Sequence, residues 1–509
     1  MKKLAFIVLA LCSGLLNAQT ADDVELFQLR NLHGTPRFTA MGGAFTALGN
    51  DHSAYALNPA SAAVNLHSDI SFGFGFNDRS GNYQDFYQTS GNERNLNVLF
   101  ENVGLNLVLN PSSETRYSLA FSTTKLADFN RDFNIANLNN GYTLGQYWAE
   151  ISAGQHIDDI PWDAYAAWES YLLVSQNDTI VDDGFAYGEL IDGNLVANSN
   201  LNYIFNQDGS FNETNVVFGI DKGGKLYYGF SLGFPTLTFR REEFINESNL
   251  NRSNPPYSAS DYSFRRLNDI YGSGFNFKAG FIYRPIPEIR IGASYQSNSW
   301  YTVNQFYEVD VITNFAQEPE PGVGLSRESS LLETGQYAYR LRTPAIYRAG
   351  IASVIAKAFI LSVDYQYQQQ DRNRLYTNNN SFNISENLLQ TDYQPGIDDL
   401  YAAGRQTISA GAELRLKRVS LRAGYRIDES VYKEEFQDQT IGDMQALSFG
   451  LGFKSGPWSF DLAFIQSQRD RNYAIYRGAD PAGNSIQVIQ DLQMTEVANN
   501  IIAGVSLKF

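Results

Sequence analysis

The sequence predicts an all-β protein, a transmembrane antiparallel β-barrel of about 14 strands with an N-terminal plug in its lumen. Three observations lead there. Behind an export signal lies a compact Gly- and Ala-rich stretch, GTPRFTAMGGAFTALGNDHSAYALNPASAAV, from Gly34 to Val64. The rest of the chain alternates apolar and polar residues at period two, one segment after another. The connections between segments alternate short and long, as in bacterial barrels with tight periplasmic turns and long outer loops.

The first elements are for export. Lys2 and Lys3 precede the apolar run Leu4 to Leu11, and Leu16-Asn17-Ala18 is an acceptable cleavage site, so residues 1–18 read as a secretory signal. Cys12, the only cysteine, lies inside it, and Leu11 is a poor match to the small residue that precedes an acylated cysteine. The mature chain is therefore expected to lack disulfides and a lipid anchor. Losing the two lysines takes the net charge from −17 to −19, which argues against a nucleic-acid partner. Mean hydropathy is −0.31, and no later apolar run reaches the roughly 18 residues of a membrane helix. A barrel escapes that test, because only alternate residues face lipid and aromatics, 14% here, supply its girdles.

Between signal and strands, glycine lets backbone pack closely where side chains would not fit, so the stretch reads as a plug. Pro59 fixes its own φ and biases Asn58 towards an extended conformation, making Asn58-Pro59-Ala60 a rigid corner before the first strand. The Asn58 amide can satisfy backbone groups at that corner.

The strands follow. Ile408, Ala410, Ala412, Leu414 and Leu416 alternate with Ser409, Gly411, Glu413, Arg415 and Lys417. Val419 to Asp428 repeats the pattern, as do Phe275 to Tyr283 and Ile289 to Tyr295; in the last strand only Ile502 breaks it. Strands are expected near Asp69, Asn95, Thr115, Phe211, Lys225, Asp261, Ile289, Glu333, Phe359, Gly404, Val419, Gly442, Trp458 and Gln493. Tight connections fall at Asn110 to Glu114, Asp221 to Lys225, Pro285 to Glu288, Ala356 to Ala358, Lys417 to Val419 and Ser455 to Pro457. Both termini are then periplasmic. Inward Asp364, Glu413, Arg422 and Arg426 imply a polar lumen near that side.

The Gly34 to Val64 stretch resembles the N-terminal hatch of FadL-family outer-membrane channels, which carry long-chain fatty acids and aromatic hydrocarbons into Gram-negative cells. The strand motifs Gly280-Phe281-Ile282-Tyr283-Arg284-Pro285, Arg290-Ile291-Gly292-Ala293-Ser294-Tyr295, Thr343-Pro344, Tyr347-Arg348-Ala349-Gly350 and Asp364-Tyr365 also look like that family. The resemblance implies a hatch over 19–68, a fourteen-stranded barrel over 69–509, and gating by Gly42, Gly43, Phe45, Asn58, Pro59 and Ala60. It further implies capture of a hydrophobic small molecule by extracellular loops, and a kinked third strand that opens the wall towards outer-membrane lipid. Terminal Phe509 resembles the signal read by the barrel-assembly machinery. A monomer is expected.

Two places depart from the family pattern or leave it open. Strand three, Thr115 to Lys125, has neither glycine nor proline, the usual marks of a kink, so its lateral exit is in doubt. Glu101-Asn102, between Phe100 and Val103, offers another place for an interruption, in strand two, as a gate or as an ordinary polar bulge. The largest loop, 126–210, carries Trp148, Trp162 and Trp168, and a helix is expected from Pro161 to Val174. Its stripe of Trp162, Tyr165, Ala166, Trp168, Tyr171 and Leu172 either packs on the loop's core or the barrel rim, or forms a groove that captures substrate.

Catalysis fits poorly. His33, His52 and His67 lie at or before the first strand and His156 in the long loop, so no base is aligned with a nucleophile on the wall. Asp158-Asp159 and Asp182-Asp183 could hold calcium loosely but read first as solvated loop charge, and no His or Cys pair marks a haem. No cofactor and no metal are expected. The leading expectation is passive, hatch-gated uptake of hydrophobic compounds. The alternative is a surface receptor or adhesin, or a haem-binding receptor, built on the long loops.

Overall fold

In the computed structural model the strands close into one antiparallel barrel of fourteen. The structure describes residues 23–85, 90–109, 114–140, 143–152, 155–156, 160–175, 181–186, 199–248, 259–319, 321–329, 333–378, 389, 393–437, 440–479 and 486–509. The expected signal with Cys12, the Asn110 side of the first tight turn and Asp158-Asp159 lie outside them.

The wall runs β1 (Asp69–Asp85), β2 (Ser90–Leu109), β3 (Thr115–Asp128), β4 (Ser199–Lys222), β5 (Leu226–Ser248) and β6 (Ala259–Ile286). It continues with β7 (Ile289–Gln296, resumed at Ser299–Phe315), β8 (Glu333–Thr343, resumed at Ile346–Ile355), β9 (Phe359–Gln368) and β10 (Arg405–Leu416). β11 (Val419–Asp428), β12 (Ile441–Ser455), β13 (Trp458–Ala479) and β14 (Ile486–Lys508) complete the circuit. Closure is by β1 on β14, from Asp69↔Lys508 to Asp85↔Leu492. Each strand pairs with its neighbours in sequence, so no backbone edge is left at the seam.

Short turns gather at one end. Ala356, Lys357 and Lys417 turn there with positive φ, alongside Gly223, Gly224 and Gly456. The outer face carries the expected alternation: Phe72, Phe74 and Phe76 on β1 and Phe460, Leu462 and Phe464 on β13 point outward. Tyr117, Tyr228, Tyr283 and Trp458 ring this band near the turns, and Tyr295, Tyr347, Tyr365 and Tyr425 ring its far side. That is the aromatic-bounded apolar belt of a lipid-facing barrel.

Beyond the belt the structure departs from the expected 126–210 loop. Arg131–Asn140 continues β3 as a strand paired with Ser199 to Gln207, and β4 starts at Ser199 rather than near Phe211. The remainder builds an outer layer around helices α1 (Leu144–Ser152) and α2 (Trp162–Glu169). Its core holds Trp148, Tyr203, Tyr262, Phe264, Val309 and Leu172. Long polar strands thus keep an apolar interior after they leave the membrane level.

Leu462 lies midway between Trp458 and Gln466 on the outward face of β13. Leu462→Lys should destabilise the barrel by about 2 to 4 kcal/mol, against about 0 to 1 kcal/mol for Gln466→Lys at the edge of the belt. Urea unfolding in lipid vesicles measures both.

Candidate functional site

Residues 23–68 lie against the inner faces of the strands. Glycine makes this possible: among the described residues, ten strand glycines would bring an added Cβ closer than 3.0 Å to an atom of this segment. They sit on nine of the fourteen strands, for example Gly219 against Ala63, Gly229 against Ala60, Gly292 against Thr46, Gly411 against Met41, Gly424 against Gly42 and Gly504 against Pro36. Several are cross-strand partners, Gly219↔Gly229, Gly229↔Gly280 and Gly411↔Gly424, so they form a belt at one level.

Polar wall groups then hold the segment by its backbone. Asp364 accepts from the Thr46 amide at 2.6 Å, Arg405 donates to the Gln28 carbonyl at 2.9 Å and Ser294 donates to the Leu57 carbonyl at 2.7 Å. Arg426 donates to the Arg30 carbonyl at 3.2 Å, and Arg37 pairs with Glu413 at 2.9 Å. Of the inward charges read as a polar lumen, Asp364, Glu413 and Arg426 dock this segment, whereas Arg422 bonds Glu413 and Asp461 on the wall. Apolar contacts complete it: Leu32, Phe38, Met41 and Phe45 pack on Ile360, Ile465 and Ile502. Ile502, the exception to the sequence alternation, faces this cluster.

The predicted gating residues fall within these contacts. Gly42 and Gly43 have φ of +64° and +77°, a region open to glycine, and a Cβ on Gly42 would meet the Tyr425 and Ala410 carbonyls. Phe45 is fully buried against Phe38 with the Arg37 guanidinium 5.1 Å over its ring. Asn58 donates from Nδ2 to the carbonyls of Thr46 at 2.7 Å and Phe281 at 3.1 Å, and its Oδ1 accepts from the Ala60 amide at 3.1 Å. It thereby caps the 3-10 helix Pro59–Val64 and ties it to the wall. His52 bonds Ser71 Oγ through Nδ1 at 2.8 Å, and burial pushes its imidazole down to about 4, so it is neutral.

The wall opens beside this segment. β2 and β3 pair from Leu109↔Tyr117 to Asn102↔Thr124, and no further pair joins them among the described residues. β2 continues on β1 alone. From Lys125 onward the third strand turns into the lumen: Asp128 reaches Asn77 and Arg79 on β1, and Arg131 reaches Glu496 on β14. Strand three thus bends although Thr115 to Lys125 holds neither glycine nor proline. Its bulge is Leu126, since Lys125 faces Asn212 while Ala127 faces Phe211. A glycine on the neighbouring strand meets the bend: Gly209 has φ of +135°, and a Cβ there would strike the Thr238 carbonyl of β5. Gly209 accepts from the Phe129 amide at 3.1 Å and its own amide donates to Asn130 Oδ1 at 3.2 Å.

A window results, spanned at its outer end by Asn95 Nδ2 donating to the Asp132 carbonyl at 2.6 Å. Leu96 and Val98 on its edge are 72% and 70% exposed, against about half for most outward apolar residues, as expected where a strand has lost one neighbour. Glu101 is the extra residue of the β2 bulge, between Gly73↔Asn102 and Phe74↔Phe100. Its buried carboxylate faces His33 Nδ1 at 3.0 Å and accepts from the Gly34 amide at 3.3 Å. The Leu126 carbonyl accepts from the Asn31 amide at 2.8 Å. Both margins of the window are thus bonded to the N-terminal segment.

The rim residues separate. Helix α2 stops at Glu169 rather than Val174; Tyr171 takes a φ of +62° and Leu173–Ser175 starts a short strand on Val181–Ala186. Pro161 precedes the helix as its N-cap. Leu172 is fully buried, Trp168 and Tyr171 are half-buried with Arg327 over the Tyr171 ring, and Trp162 presents an exposed indole.

The closed fourteen-stranded antiparallel barrel is the fold of the FadL-type channels. The chain has the fold of a Pseudomonas aeruginosa FadL homologue, at 12% identity over 94% of this chain and 99% of that one, TM-score 0.50. It is likewise similar to the P. putida toluene transporter TodX, at 10% identity over 94% and 99%, TM-score 0.52. A TodX deltaS2S3 mutant, described as a monoaromatic hydrocarbon channel, matches at 14% identity over 94% and 100%, TM-score 0.51. No family model matches the sequence, and no curated protein does.

Gly424→Leu should push Met41 and Gly42 off the wall, raising single-channel conductance and exposing residues 23–68 to protease. Gly442→Ala, where the nearest neighbour is the Asp470 carbonyl at 3.5 Å, should change neither.

Proposed function

We propose that this protein is an outer-membrane channel for passive uptake of hydrophobic small molecules, long-chain fatty acids or aromatic hydrocarbons, with residues 19–68 as its hatch. The single observation that carries this reading is the window between β2 and β3 at the level of the lipid belt. A channel for ions or sugars gains nothing from an opening into the bilayer. An apolar solute does, because leaving through the wall keeps its surface out of water, worth about 25 cal/mol per Å². The axial path is meanwhile occupied by backbone seated on the glycine belt, which keeps polar compounds from leaking through.

In this reading substrate arrives at the outer layer, where Trp162 offers an exposed aromatic surface beside Trp168, Tyr171 and Leu172. It passes along the lumen and exits beside Leu96, Val98 and Phe100. Gly42, Gly43, Phe45, Asn58, Pro59 and Ala60 set how readily the hatch yields, and Phe509 directs assembly. No energy source is needed beyond removal of substrate inside the cell. The resemblance to hydrocarbon channels supports the fold of this reading, and the geometry of the window supports the class of solute.

The test is uptake of radiolabelled oleate and toluene by cells in which this is the sole such channel. Deleting Leu126 removes the extra residue of the bulge and should restore β2–β3 pairing, cutting uptake about tenfold or more, the scale of a lost 1.4 kcal/mol preference. Asn58→Ala and Pro59→Gly should slow it at matched surface abundance and unchanged heat-modifiable migration. Parental uptake after the deletion would overturn the lateral route.

A further inference from the structure

The bent part of β3 and the first residues of the N-terminal segment meet at one carboxylate. Arg131, just past the bend, donates through Nε and Nη2 to Glu496 Oε1 and Oε2 at 2.8 and 3.3 Å. Tyr473 donates to Oε1 at 2.7 Å, and Arg471 Nε stands 3.8 Å from it. The same Arg471 guanidinium turns its Nη2 to Glu25 Oε1 at 3.2 Å, and Glu25 Oε2 accepts from the Tyr432 hydroxyl at 2.8 Å. On the other flank Arg79 donates to the Asn130 carbonyl at 2.7 Å and lies 3.6 Å from Asp128. Arg131, Glu496, Arg471 and Glu25 are each nearly out of water.

We propose that Glu496 is a positioning residue that makes release of the hatch's leading end and movement of the bent strand a single event. The physical ground is the cost of half a network. Moving Arg131 away strips Glu496 of its closest cation and leaves a buried charge that Arg471 has to compensate, drawing Arg471 from Glu25. Withdrawing Glu25 leaves Arg471 free to close on Glu496 and weakens its hold on Arg131. Loss of either the Arg131–Glu496 or the Arg471–Glu25 pair therefore favours loss of the other. This rests on the lateral route proposed above, in which strand and hatch both have to yield.

The test is made without substrate, so its outcome stands whether or not uptake is found. A spin label at Asn134→Cys, exposed on the continuation of β3, reports that strand in purified protein. The distant variant Glu25→Gln, whose carboxylate bonds Arg471 and Tyr432, should raise the mobile fraction of the label about fivefold, the low end of coupling between sites. Glu496→Gln should do the same, and the double variant should add little to either. Glu496→Asp should restore most of the immobile population. A label unmoved by Glu25→Gln would reduce Glu496 to a local brace and overturn the proposal, even if Glu496→Gln failed to fold. Additive effects in the double variant would overturn it as well.

Discussion

The structure depends on how closely a backbone can approach a barrel wall. An ordinary strand presents a Cβ at every second residue to the lumen, and each keeps a packed chain at side-chain distance. Here the inward position is glycine on strand after strand at one level, so residues 23–68 seat main chain against main chain. Close approach has a second consequence. The segment carries little regular structure, so its amides and carbonyls need partners, and inward Asp364, Arg405, Ser294 and Arg426 supply them. Glycine for space and polar side chains for backbone groups are two parts of one arrangement.

The window follows from the same economy of contacts. A strand that leaves its neighbour abandons a ladder of hydrogen bonds, and it does so only where the lumen offers replacements. For β3 these are the Asn31 amide on the Leu126 carbonyl, Gln207 Nε2 on the Phe129 carbonyl, Arg79 on the Asn130 carbonyl and the charges of Asp128 and Arg131 on β1 and β14. The N-terminal segment is one of those replacements. The wall is open in part because the lumen is filled.

Much of this was legible in the sequence, and the remainder was hidden for identifiable reasons. Alternation marked every strand, because lipid on one side and a filled lumen on the other impose it without exception except where the plug presents an apolar surface, as at Ile502. Strand starts erred where strands run on past the membrane, at Ser199 and Arg131, since there the alternation persists with Phe133 and Ile135 or Tyr203 and Phe205 buried, but outward residues such as Asp132, Asn134 and Asn206 are polar and the segments read as loop. The bend of β3 escaped because the partners it bonds beyond Leu126, among them Gly209 some eighty positions along the chain, lie on other strands. The inward run Asp128, Asn130 and Arg131 after an otherwise regular strand was the available signal. The glycine belt was equally present in the sequence, as Gly219, Gly229 and Gly280 or Gly411 and Gly424, but its meaning needs the register that pairs them.

Ionic groups tie the N-terminal segment to the wall and the wall to itself. Within the belt they hold the segment, as in Arg37 with Glu413 or His33 with Glu101, and also pair across the strands, as in Lys278 with Glu213 and Arg422 with Asp461. Towards the outside they bridge the wall itself, as in Arg266 with Glu243 on β6 and β5. The outer layer has a packed aromatic core, while the N-terminal segment beneath it is held by hydrogen bonds to its backbone as well as by apolar contacts. Buried bonds of that kind are directional and tend to be lost together, whereas apolar contacts yield gradually. The N-terminal segment is bonded to both margins of the window.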